Sequence, residues 1–117
     1  MRAPIALLSM LLVTLLGAGI VSAQLPADAV WIDVRSPAEY QQGHLAQAQL
    51  IPFDGIEAGV SGLNLPKDTP IVFFCHRGVR SQNAAEHFRD KGFTNLFNLA
   101  GGIDAWSMLV DPSVPRY

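Results

Sequence analysis

Apolar residues along this chain fall into short runs divided by polar stretches rich in glycine and proline, and the run lengths suit strands better than long helices. Ala29-Val30-Trp31-Ile32-Asp33-Val34 is nearly continuous, as a strand covered on both faces requires. Ser36-Pro37-Ala38-Glu39 then supplies an N-cap serine, a proline at the first helical position and a glutamate placed to close a capping box, so a short helix is expected through Gln42 and should end at Gly43. Gln49-Leu50-Ile51-Pro52 reads as a second strand stopped by proline. From Phe53 to Thr69 the signals conflict: Ile56, Val60 and Leu63 favour one or two helical turns, whereas Gly59, Gly62 and Pro66 favour loop.

Ile71-Val72-Phe73-Phe74 is the third strand. A helix is expected from Ser81 to Lys91, with Ala84, Ala85 and Phe88 at helical spacing and Gly92 at its end. Phe93 to Leu99 reads as a fourth strand, Gly101-Gly102 as a turn, Ile103 to Leu109 as a helix, and Asp111 to Tyr117 as an irregular tail. Strands alternating with helices predict an α/β fold: a small parallel sheet of about four to five strands flanked by helices.

The first residues read differently. Met1-Arg2 precedes an apolar run from Ile5 to Val21, and Val21-Ser22-Ala23 offers the small residues that signal peptidase reads. The expected organisation is an export signal over 1–23, cleaved after Ala23, and one domain over 24–117. The rival reading is a retained anchor, because the run approaches the roughly 18 residues that span a bilayer. With the leader cleaved, a periplasmic or secreted protein without stable membrane association is expected.

Acidic residues outnumber basic ones, ten to eight, and no segment carries a basic stripe, which argues against a nucleic-acid partner. A single cysteine cannot form an intrachain disulfide, so packing must supply the stability. No set of His, Cys, Asp or Glu has metal-ligand spacing, and no metal is expected.

That lone cysteine, Cys75, sits where the third strand runs into His76-Arg77-Gly78-Val79-Arg80 and then a helix. Ligands of parallel sheets bind beyond the carboxyl ends of the strands. Gly78 permits a backbone angle that lets successive N–H groups curl inward as an anion nest, and Arg77 and Arg80 add positive charge; all of this favours thiolate over thiol. The bland alternative, a small buried hydrophobe, fits poorly beside two arginines. Arg77 reads equally well as a solvated charge, whereas Arg80, next to the helix start, is expected to point back over the nest. A Cys/His dyad with His76 is disfavoured, since neighbours on a curled loop point different ways. His87 reads as an exposed helix residue and His44 as a turn-ordering one.

Two flanking patterns complete the picture. Residues 32 to 52, IDVRSPAEYQQGHLAQAQLIP, and 99 to 106, LAGGIDAW, together with the cysteine loop, resemble the single-domain rhodaneses; an export signal on so short a domain is similar to the phage-shock-protein-E type. Gln47 departs from the family's usual small glycine, and the domain starts almost directly at its first strand, without the leading strand and helix many members carry. The resemblance implies a sulfurtransferase with Cys75 as nucleophile and His76, Arg77, Gly78, Val79, Arg80 and Ser81 as the anion-binding loop. It implies sulfur moving from thiosulfate or a similar small anionic donor, through a Cys75 persulfide, to cyanide or a thiol, with no cofactor, in a monomer. Asp33, Arg35, Trp31 and Trp106 read as structural, and Gly101 and Gly102 as allowing a close approach to the loop. Two other functions share such a loop. One is a non-catalytic binding or sensing module, though inactive relatives typically lose the cysteine. The other is a cysteine phosphatase or arsenate reductase, whose loop is one residue longer.

Overall fold

A computed structural model describes residues 25–116 and the backbone of Ile5–Ala6. The expected cleavage site after Ala23 and the terminal Tyr117 lie outside the described residues. The strands are β1 (Ile5–Ala6), β2 (Val30–Asp33), β3 (Ala48–Leu50), β4 (Ile71–Phe74) and β5 (Leu96–Asn98). They form one parallel sheet in the order β1-β5-β4-β2-β3, with β4 in the centre. The helices are α1 (Pro37–Gln42), α2 (Ile56–Ser61), α3 (Val79–Asp90) and α4 (Gly102–Leu109). Among the described residues, no helix is long and apolar enough to cross a membrane.

Alternation along the strands sends neighbours to opposite faces and so builds two cores. On one face Ile32, Val34, Ile71, Phe73 and Cys75 pack with Ile56 and Val60 of α2 and with Ala84, Ala85 and Phe88 of α3. On the other, Val72, Phe74 and Leu99 pack with Ile103 and Trp106 of α4 and with Val114 of the tail. Trp31 stands edge-on to Trp106 at 5.4 Å and to Phe74 at 6.2 Å, the packing role its sequence context implied. All four residues of β4 are buried, which fixes the strand end from which Cys75 emerges.

The capping box forms as the sequence predicts: the Glu39 N–H donates to Ser36 Oγ, and the Ser36 N–H donates to the Glu39 carboxylate. In the ambiguous stretch, a 3-10 turn over Phe53–Gly55 leads into α2. Gly59 is tolerated inside that helix because a Cβ there would lie 2.2 Å from Ile51 Cγ2, so the missing side chain lets α2 rest on the end of the sheet. Helix α3 starts at Val79, two residues before the expected Ser81. Gly78 adopts φ 110°, and its carbonyl already accepts from the Gln82 N–H. Strand β5 is shorter than the apolar run 93–99, since Phe93 turns back to the end of α3 through an N–H bond to Phe88 O.

Candidate active site

The loop from Cys75 to Ser81 is shaped from outside by α4. Ile103 N–H donates to the Cys75 carbonyl at 2.9 Å and Asp104 N–H to the His76 carbonyl at 3.2 Å. In a trans peptide the C=O and the following N–H point opposite ways, so carbonyls tied outward turn the next amides inward. The Arg77 N–H, in the same peptide as the His76 carbonyl, is accordingly among the amides that bond the sulfur, and the next amide, Gly78 N–H, donates to Cys75 Sγ at 3.0 Å. Gly102 makes this approach possible: with φ 59°, a Cβ on it would lie 2.3 Å from the Cys75 carbonyl oxygen and 2.4 Å from that of His76. The close approach anticipated for the Gly-Gly turn is thus made by its second glycine.

Cys75 is only 2% exposed, and burial by itself would push its thiol up. Hydrogen bonds from the Ser81 hydroxyl and from the N–H groups of Ser81, Gly78 and Arg77 outweigh that penalty and hold the thiol below the ordinary cysteine value. The sulfur is therefore predisposed to be a nucleophile.

The other loop residues take distinct places. Arg77 is exposed at the rim, and its positive charge helps lower the carboxyl of Asp104, after the larger effects of Arg116. His76 is half-buried, with its carbonyl on α4. Val79 is 73% exposed, an apolar residue at the mouth. Arg80 departs from expectation. Its guanidinium does not simply lean over the loop but grips Glu39 in a two-pronged pair, Nη1 to Oε1 at 2.7 Å and Nη2 to Oε2 at 3.0 Å. The carboxylate that caps α1 thus also anchors the end of the loop.

Ser81 is buried and touches the sulfur at 3.4 Å, and behind it lies a residue that its sequence context did not single out. Asn98, at the end of β5 and 1% exposed, accepts from Ser81 Oγ at 2.6 Å. The available signal was a lone amide inside the otherwise apolar run Leu96-Phe97-Asn98-Leu99. Away from the loop, His44 Nδ1 lies 3.0 Å from Tyr40 O, the turn-ordering role expected of it, and His87 is paired with Glu57 on the surface. Among the described residues, no group of His, Cys, Asp and Glu is arranged to hold a metal ion.

A strand-end cysteine cradled by inward amides can be compared with known proteins. The rhodanese-like domain family matches residues 18–109. The chain belongs to the rhodanese-like family. It is 31% identical over 91 residues to the thiosulfate sulfurtransferase GlpE of Pseudoalteromonas translucida, covering 76% of this chain and 83% of that one. It is 40% identical over 86 residues to a probable adenylyltransferase/sulfurtransferase MoeZ of Mycobacterium tuberculosis, covering 74% of this chain but only 22% of that longer protein. Among solved structures, the rhodanese with anions from E. coli superposes with a TM-score of 0.60 at 32% identity, covering 65% of this chain and 89% of that one.

Within this rhodanese-like domain the flanking signatures are structural. Asp33 and Arg35, both fully buried, form an ion pair with Nη2–Oδ2 at 2.7 Å and Nε–Oδ1 at 2.9 Å. Arg35 also donates to the carbonyls of Glu39 at 3.2 Å and Gly43 at 2.8 Å, pinning the middle and the C-terminal end of α1 to the sheet. Since α1 carries Glu39, and Glu39 holds Arg80, the N-terminal signature and the cysteine loop form one connected polar frame.

Proposed function

We propose that this protein is a sulfurtransferase that takes a sulfane sulfur from thiosulfate or a similar small anion and passes it to cyanide or a thiol. The Cys75 thiolate attacks the outer sulfur; the Sγ–S bond forms as the donor's S–S bond breaks, and sulfite departs with the bonding pair. The persulfide anion left on Cys75 then gives its outer sulfur to the acceptor and regenerates the thiolate, so no outside oxidant or reductant is needed. What carries this reading is the amide cradle around a thiol held low: donors aimed at Sγ favour the thiolate that attacks the outer sulfur and that is released again when the sulfur passes on. The names of the sulfurtransferase relatives support it, and the presence of anions in the E. coli rhodanese structure suits an anionic donor.

The phosphatase reading fits less well, because a loop one residue shorter, closed on a nearly buried sulfur, favours a single reactive atom over a tetrahedral oxyanion. The leader-like N-terminus supports export, in which case cleavage after Ala23 would remove edge strand β1 and leave the sheet β5-β4-β2-β3; a monomer with no cofactor and no nucleic-acid partner belongs to the same proposal.

Incubation with thiosulfate followed by intact-mass measurement tests the reading. One added sulfur, removed by cyanide, is expected; a chain that alkylates at Cys75 yet never gains sulfur would sink it. Saturation kinetics should then separate the arginines. Arg77→Ala should raise KM for thiosulfate about tenfold, the loss of one charge-assisted contact. Arg80→Ala should weaken thiosulfate use less and lower thermal stability more, since its guanidinium is engaged with Glu39. The opposite ranking would return the donor-binding role to Arg80.

A further inference from the structure

Asn98 is held from three sides. Its Nδ2 donates to the Gly78 carbonyl at 3.2 Å and to Gln82 Oε1 at 2.9 Å. A backbone carbonyl can only accept, so this contact fixes which way the amide faces and leaves Oδ1 toward Ser81. The Ser81 hydroxyl must therefore donate across the 2.6 Å contact. Yet the same hydroxyl lies 3.4 Å from Cys75 Sγ, and it has one hydrogen for two acceptors.

The protonation state of Cys75 decides the arrangement. As a thiol, S–H can donate to Ser81 Oγ while Ser81 donates to Asn98, and every group is satisfied. As a thiolate, Sγ competes for the Ser81 hydrogen. As a persulfide, Sγ is a bridging sulfur and a weak acceptor, its former charge having moved to the outer atom, so the hydrogen has no reason to stay with it.

We propose that Asn98 is a positioning residue that shares the single hydrogen of the Ser81 hydroxyl with the Cys75 sulfur, taking it when the charge sits on the outer atom of a persulfide and yielding it when Sγ is a thiolate. The exchange moves no heavy atom and breaks no covalent bond. It lets the site follow the charge by one atom as sulfur is gained and lost. Asn98 does so while clamping the Gly78 carbonyl, the far side of the loop whose N–H holds Sγ. The persulfide half of the proposal rests on the sulfur-transfer reading above; the thiolate half does not.

The test is a double-mutant cycle on the pH at which Cys75 is half-alkylated by iodoacetamide, which needs no sulfurtransferase activity. Ser81→Ala should raise that midpoint by about half to one pH unit, one hydrogen bond's worth. Asn98→Leu, which removes the competing acceptor, should lower it by a similar amount, and in the Ser81→Ala background that lowering should vanish, leaving only the shift caused by the lost clamp on the Gly78 carbonyl, which is common to both backgrounds. Titratable and charged groups near the site are His76, Arg77 and Arg80 on the loop, Glu39 on α1, Asp33 and Arg35 at the end of β2, and Asp104 on α4; they are common to all four proteins and cancel in the cycle. Equal Asn98→Leu shifts in both backgrounds would overturn the proposal.

If Asn98→Leu does not fold, the parent serves. The Asn98 side-chain amide resonances should titrate with Cys75, return toward their thiol-state positions once thiosulfate has charged the site, and lose this response in Ser81→Ala. Resonances that ignore the titration, or respond equally without Ser81, would overturn it. A normal titration with no return on charging would overturn the persulfide half, and the mass measurement shows whether any persulfide had formed.

Discussion

Cys75→Ser is expected to reduce thiosulfate-to-cyanide turnover by more than about a thousandfold, the scale on which removing a covalent nucleophile acts, and to eliminate the sulfur adduct. Serine fits the space, but its hydroxyl stays protonated where a thiol in this cradle ionises. The amides that stabilise a thiolate cannot make an alkoxide at neutral pH. Because Cys75 is the only cysteine in the chain, no other thiol can take over. The measurement is steady-state turnover beside a thermal melt; a folded serine variant with transfer within tenfold of the parent would mean that sulfur passes through the site without a covalent intermediate.

The largest expected stability effect lies in a residue that never touches the sulfur. Arg35→Leu should cost about 3–5 kcal/mol, the typical penalty for breaking a buried ion pair, read from urea unfolding by the fluorescence of Trp31 and Trp106. The loss has two sources: Asp33 is left as a buried carboxylate without its counter-charge, and the carbonyls of Glu39 and Gly43 lose their donors. Adding Asp33→Asn to Arg35→Leu should therefore recover part of the loss, since the stranded charge is gone. Failure of the second substitution to recover anything would place the cost on α1's lost anchors alone. Activity should fall with the single variant even below its unfolding midpoint, because α1 carries the carboxylate that holds Arg80.

Much of this architecture could be read from local patterns. Near-continuous apolar runs marked β2 and β4, the Ser36–Glu39 spacing marked α1, and a cysteine at a strand end before a glycine loop marked the site. What escaped was long-range. Arg80 and Glu39 stand 41 positions apart, and nothing in the spacing of either says that the arginine will turn to a helix cap and not inward. Asn98 lies unremarked inside the run 93–99, and only the sheet, which sets β5 beside β4, brings it to Ser81. The start of α3 was misplaced by two residues because capping rules look for a side-chain acceptor, whereas here a left-handed glycine performs the turn.

The bonds from the first turn of α4 to the carbonyls of Cys75 and His76 bear on how the molecule opens. A loop held only by its own ends could fray while the sheet stayed intact, exposing the thiol to chance oxidants. Here lifting the loop would strand the N–H groups of Ile103 and Asp104, first-turn donors of α4 with no acceptor inside the helix, beside a core that holds Ile103 and Trp106. The amides of Arg77 and Gly78 should thus exchange with deuterium as slowly as those of β4, a rate normally confined to the most protected strands. Exposure of the Cys75 sulfur and loosening of the first turn of α4 become linked events.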